Sequence, residues 1–176
     1  LLVERFDVTG QGGRNHMISM QTLLGADGYY NLSYSDMFRV INNYSYRPQE
    51  DTNKLFRQMV FNAAIGNTDD HLKNFCLLHT ATGFSLSPAY DLVPDIHHNS
   101  EHRLSFPQDA GTLPPDRQVL KKIGKFQKVS DPEQIIEDVA QSVTKWQAVF
   151  CQYEVPENDI QRLEPGITQR LNRSSG

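Results

Sequence analysis

The chain is short of cysteine, of tryptophan and of uninterrupted apolar sequence, and it carries no excess of basic charge. Its 2 cysteines, Cys76 and Cys151, are too few for a disulfide framework and point to a reducing, cytoplasmic compartment. No apolar run approaches the ~18 residues of a membrane span. No charged-then-apolar leader opens the chain, so export is not indicated. Lys and Arg number 17 against 21 Asp and Glu, a net charge of −4, whereas a nucleic-acid footprint is basic. An initiator Met is missing too: the chain opens on Leu1, as expected of a piece of a longer protein. What is present suffices for a core. At 176 residues, 38% hydrophobic and 10% aromatic, the chain predicts one domain rather than wholesale disorder.

Residues 1–6 read as a short strand (Leu1, Leu2, Val3, Phe6). Gly10, Gly12 and Gly13 then make a turn, and a return strand is expected within 14–21. Ser35 is placed to cap a helix through Met37, Phe38, Val40 and Ile41 that ends near Tyr44. A stronger helix starts at Asp51 or Thr52. Leu55, Phe56, Met59, Val60, Ala63 and Ala64 give it one broad apolar face, and Gly66 is its C-cap. Residues 75–79 and 84–86, joined by a turn at 80–83, form a hairpin. Residues 94–115 have no clean period and read as a long ordered loop. Two helices close the chain. One runs from the cap at 130–133 with the stripe Ile135, Ile136, Val139, Ala140, Val143, Trp146 and Phe150. The other runs from Pro156 with Ile160, Leu163, Ile167 and Leu171, and a kink or break is expected at Pro165–Gly166. The fold class that results is α+β, mostly α.

Between the strong helix and the hairpin lies the densest polar cluster, residues 67–74, or Asn-Thr-Asp-Asp-His-Leu-Lys-Asn. Phosphoryl transfer needs a carboxylate to take the attacking hydroxyl's proton, and an Asn and an Asp to hold Mg²⁺ against the phosphates. The protein-kinase pattern is a catalytic-loop Asp, four residues, an Asn, a hairpin, then a metal-binding Asp. Here Asp69 precedes Asn74 by that spacing, the hairpin follows, and Asp91 comes after it. Lys73 is placed to neutralise charge on the transferred group, and His71 to hydrogen-bond a phosphate, a ribose or the loop backbone. Asp and Asn are also common turn residues, so the spacing alone fits a plain polar loop equally well.

Other features carry less. The three glycines near the start lack the following Lys-Ser/Thr and helix of a phosphate-binding loop. His97, His98 and His102 lack tetrahedral ligand spacing. Lys121, Lys122, Lys125 and Lys128 suit a solvated face, although an acidic substrate loop would also fit them. Trp146 and the tyrosines 29, 30, 34, 44 and 46 read as core and near-surface packing, and Cys76 as a buried strand residue.

The stretch from Gly66 to Phe75 followed by Leu86-Ser87-Pro88-Ala89-Tyr90-Asp91 resembles the C-terminal domain of HipA-type toxin kinases. Val3-Glu4-Arg5-Phe6-Asp7 is similar to that family's segment joining the two kinase lobes, and residues 14–24 share its look. The resemblance implies a protein-kinase-like C-terminal lobe over 1–176, in a bacterial Ser/Thr kinase of a toxin–antitoxin module. Such kinases phosphorylate a translation component, an aminoacyl-tRNA synthetase in known cases, and arrest growth in the state called persistence. It implies ATP and Mg²⁺ as cofactors, Asp69 as catalytic base, and Asn74 and Asp91 as metal ligands. His71 and Lys73 would line the phosphate side. Glu4 and Phe6 would offer backbone groups to the adenine, and Asp7 would approach the ribose. It also implies a HipB-like helix-turn-helix antitoxin partner, through which DNA is contacted only indirectly. The family's N-lobe, with its phosphate-pairing lysine, is expected before Glu4, so it would come from another chain or have been removed by truncation. Two further readings stand beside this one. The first is an inactive fragment or regulatory module that docks an antitoxin. The second is a metal-dependent phosphohydrolase using Asp69, Asp70, His71, Asp91 and His97.

Overall fold

The structure, a computed structural model, describes residues 5–27, 31–97 and 99–175. The strand expected over 1–6 begins outside them, and the glycine turn after it is closed by a single antiparallel bridge between Val8 and Arg14. The next strand, β1, is only Met17–Ser19, because Ser19 caps a helical turn, α1 (Met20–Leu23), by accepting from the Thr22 N–H. Its partner is β2 (Cys76–Thr80), which also pairs with β3 (Gly83–Leu86). All pairing is antiparallel, with Ile18 opposite Leu77 and Leu77 opposite Leu86. The hairpin is therefore the expected one, and the return strand of residues 14–21 joins it rather than the N-terminal segment.

Helix α2 (Tyr34–Tyr44) is capped by Ser33 and not by Ser35. The reason is reciprocal: the Asp36 carboxylate takes the Ser33 N–H at 2.8 Å while the Ser33 hydroxyl serves the first turn. Helix α3 (Pro48–Ile65) starts earlier than expected, with Pro48 in its first turn and Glu50 and Asp51 next to the positive end of the helix. Asp51 is not its boundary but a buried tie. Its carboxylate accepts from Ser45 Oγ at 2.6 Å and from the Leu86 N–H at 2.7 Å, so helix and hairpin are locked together. Leu55, Phe56, Met59, Val60 and Ala63 are buried, as their spacing predicts, and α3 is the central core element.

The C-terminal half holds more helices than the sequence pattern suggests. Lys121, Lys122 and Lys125 of the lysine run lie on α4 (Arg117–Phe126), capped by Asp116 and burying Leu120, Ile123 and Gly124, and Lys128 follows it. The long stripe expected as one helix splits into α5 (Pro132–Val143), capped by Asp131, and α6 (Trp146–Gln152). At the split, Ser142 Oγ donates to the Asp138 carbonyl and Thr144 Oγ1 to the Gln141 carbonyl, each at 2.7 Å, so hydroxyls compete with the helix ladder. Helix α7 (Glu157–Ser175) runs through Pro165 without the expected break. Pro165 and Gln161 both face solvent, so the helix's missing hydrogen bond falls on its water-facing side, where its cost is lowest. Helices α2, α5 and α7 all pack on α3.

Gly124 is where α4 meets the start of α5. A Cβ there would overlap Pro132 Cβ and lie 3.1 Å from Phe56 Cζ. On an open helix Gly→Ala stabilises by ~1 kcal/mol. Here Gly124→Ala is expected to destabilise by about 1–3 kcal/mol. Thermal melting checks this, and a raised Tm would contradict the close packing.

Candidate functional site

Gly66 ends α3 with φ +82, and the chain turns sharply into the polar cluster. A side chain is excluded there twice over. The left-handed backbone favours glycine, and a Cβ would lie 2.9 Å from Arg170 Nε. From there the residues alternate. Asp69 is two-thirds exposed at its side chain, whereas Asp70 is fully buried. Leu72 and Asn74 are buried, His71 is half-buried and Lys73 is exposed, with a 3₁₀ turn at Leu72–Asn74.

Asp70 is the anchor of this loop. Its Oδ2 accepts from the Tyr34 hydroxyl at 2.7 Å and from His102 Nδ1 at 3.0 Å. Its Oδ1 accepts from the backbone N–H groups of Arg103 at 2.9 Å and Leu104 at 3.3 Å. Because a carboxylate only accepts, the His102 proton is assigned to Nδ1, and Nε2 is left facing Arg170 Nη1 at 3.4 Å. Burial, with the Asp70 charge, holds the Tyr34 phenol well above its ordinary pKa, so it remains a donor. On the far side, Asn62 Nδ2 donates to the Tyr34 oxygen at 3.1 Å and Asn62 Oδ1 accepts from Asn67 at 3.1 Å. Arg170, from α7, also donates to the Asn99 carbonyl at 2.6 Å. Burial lowers its pKa, and the Asp95 charge opposes that shift.

Asp69, Asn74 and Asp91 line one cleft of about 860 Å³, together with Thr68, Asp95, Glu101 and Arg103. The volume is that of a small-molecule site. Asn74 donates from Nδ2 to the Asp69 carbonyl at 3.2 Å, which turns Oδ1 to the other side of the amide. Asp91 has φ +55, in the left-handed region that Asp tolerates better than most residues. Asp95 shapes the rim. Burial works against its charge, but the N–H groups of His97 and Asn99 and the Thr68 hydroxyl outweigh it and hold the carboxyl below its usual value.

The other expected site residues lie elsewhere. Lys73 borders a separate cavity of about 460 Å³ with Ser19, Gln21, Thr22, Gly25 and Asp27. His71 brings Nε2 to 3.9 Å from Asp69 Oδ2, while its buried Nδ1 has no hydrogen-bond partner among the described residues. Phe6 packs on Tyr90 with ring centroids 5.7 Å apart, and Asp7 is paired with Arg5 at 2.6 Å. Neither borders the large cleft. Glu4 and His98 lie outside the described residues. The arrangement leaves little for the phosphohydrolase reading: Asp70 is consumed in the core. Among the described residues no group of three His, Cys, Asp or Glu is placed to share a metal.

A helical lobe on a small antiparallel sheet, with a loop Asp and Asn and a post-hairpin Asp on one cleft, has the architecture of a protein-kinase-like C-lobe. A solved relative supports that class. The chain superposes on HipA of Shewanella oneidensis MR-1, in a complex of HipA, HipB and operator DNA, with TM-score 0.71 at 18% identity over 97% of this chain. Residues 1–147 match the HipA-like C-terminal domain, and the chain belongs to that family. It is also 36% identical over 64 residues to "Putative kinase Y4mE" of Sinorhizobium fredii. The chain spans 46% of the HipA chain and 15% of the Y4mE protein.

Two predictions follow from this geometry. Tyr34→Phe is expected to cost about 1–3 kcal/mol, read as a Tm drop of roughly 2–4 °C per kcal/mol; Asp70→Ala, which takes the acceptor from the Tyr34 hydroxyl, His102 Nδ1 and the Leu104 N–H, costs more. An unchanged Tm in either would show that Asp70 does not anchor the loop. For Asp95 the folded-state pKa is depressed, so its contribution is complete above the usual 3.8 and fades as pH falls through the lower folded value. Amide protection at His97 and Asn99 is expected to hold from pH 7 down to that value and to fall only below it, as hydrogen exchange would report.

Proposed function

We propose that this chain is the C-terminal lobe of a HipA-like Ser/Thr protein kinase toxin, which transfers the γ-phosphoryl group of ATP to a protein hydroxyl. The observation that supports this best is the shared cleft of Asp69, Asn74 and Asp91. The donor set fits Mg²⁺: an amide oxygen and a carboxylate are hard oxygen ligands, and Mg²⁺ bound with phosphates needs only one or two protein ligands. Bound there, the ion would neutralise phosphate charge. The cleft's acidity argues the same way. Asp69, Asp91, Asp95 and Glu101 face one guanidinium, so a bare polyphosphate would be repelled.

Asp69, exposed on a loop anchored through its neighbour Asp70, would orient the acceptor hydroxyl and take its proton as the new P–O bond forms and ADP leaves. Asn74 and Asp91 would hold the metal. The Asp70 network supplies rigidity, which matters because misplacement by ~1 Å can cost a hundredfold in rate. Phe6 packs on Tyr90, the residue before Asp91, and by likeness to the family Phe6 and Asp7 would approach the nucleotide's base and ribose. The acceptor would be a component of translation such as an aminoacyl-tRNA synthetase, and the regulatory partner a HipB-like antitoxin. HipA of Shewanella oneidensis was solved with HipB and operator DNA, which supports the latter by likeness.

Calorimetric titration of the chain with Mg-ATP is expected to show micromolar to millimolar binding that is lost when Mg²⁺ is omitted. Asp91→Asn weakens it by about tenfold or more, ~1.4 kcal/mol. Asp69→Asn leaves binding unchanged but lowers phosphoryl transfer, assayed with the kinase N-lobe present, by roughly 10²–10⁴-fold. Silence in the titration, with or without Mg²⁺, would favour a docking module. Full transfer by both variants would remove the residue assignments.

A further inference from the structure

The cation that the loop spacing offered, Lys73, borders a different cavity. Among the described residues lining the large cleft, Arg103 is the only one with a positive charge. It lies 33 positions past Asp70 in sequence, yet its backbone is fixed against the same loop. Its N–H reaches the Thr68 carbonyl at 3.1 Å and Asp70 Oδ1 at 2.9 Å. Its neighbours His102 and Leu104 are buried, while the chain bends at Arg103 and leaves its own side chain outside. Its guanidinium lies 3.5 Å from Asp69 Oδ1, with 72% of the side chain exposed. A pair so long and so open to water is held weakly.

We propose that Arg103 is the phosphate-contacting cation of this cleft. It would leave Asp69 for the γ-phosphoryl oxygens when Mg-ATP binds, which frees the carboxylate at the moment it is needed. The inference rests on the kinase reading above and adds to it the residue that meets the transferring group. The step balances without a new reagent. The bond from the γ-phosphorus to the bridging oxygen breaks, a bond to the acceptor oxygen forms, and the acceptor proton passes to Asp69. Arg103 keeps its own protons throughout and meets developing negative charge with a planar pair of donors. Anchoring from Asp70 serves both partners at once: one carboxylate sets the loop that carries Asp69 and the segment that carries Arg103.

The test compares Mg-ATP with Mg-ADP by calorimetry on the unaltered chain, Arg103→Gln and Arg103→Lys. Arg103→Gln is expected to weaken Mg-ATP binding about tenfold and leave Mg-ADP binding within twofold. Arg103→Lys recovers part of the loss, since a point charge replaces the fork. The side chain is exposed, so melting temperatures should match, and a matched Tm separates a contact from a folding defect. Equal losses for both nucleotides, or no loss for either, would overturn the assignment of Arg103 while leaving the kinase reading intact. Failure of the unaltered chain to bind either nucleotide would overturn the kinase reading, and this inference with it.

Discussion

A single buried carboxylate organises the cleft. Asp70 has no solvent exposure, and burying an ionised group costs several kcal/mol unless it is well hydrogen-bonded. Here it takes donors from Tyr34 on α2, His102, and two backbone N–H groups of the 103–104 segment. Those donors come from parts of the chain that share no secondary structure with the loop. Satisfying one charge therefore assembles the loop, the return segment and helix α2 in one geometry. Asp69, directly before it in sequence, is turned outward by the same constraint.

Around that point the fold supplies two braces. From the hairpin side, Asp51 ties α3 to the Leu86 N–H, which fixes where the chain emerges toward Asp91. From the other side, Arg170 on α7 reaches over Gly66 to Asn99 and His102. Helix α7 lies beyond the residues matched by the family, and yet it touches the far end of the Asp70 network. The cleft is thus braced by the middle of the chain and by its last helix, while Asp69 and Asp91 are left to line it.

Much of this was legible in the sequence where the signal is local. The apolar spacing of α3, the glycine at its end and the hairpin all follow from short-range patterns. That Asp69, Asn74 and Asp91 share one cleft was legible for the same reason, since their spacing lies within one loop and one hairpin. The Asp70 network was not, because its partners sit 32 to 36 residues away and no period connects them. Arg103 was hidden inside a loop without regular repeat. Helix α4 escaped because its lysines read as a charge run, although Leu120 and Ile123 lie at helical spacing on its buried face. Lys73 shows the reverse failing: the right residue type at a plausible spacing, carried off by the 3₁₀ turn to a different cavity.

The account stands or falls on whether residues 69, 74 and 91 surround one metal-bound nucleotide. Manganese in place of magnesium tests this directly, because its unpaired electrons broaden nuclear resonances close to it. With Mn-ATP added, selective loss of the Asn74 side-chain amide and of the backbone amides of residues 91–93 is predicted. Broadening confined to other surfaces, or bound Mn-ATP that leaves those signals sharp, would contradict the placement of the metal and the reading built on it.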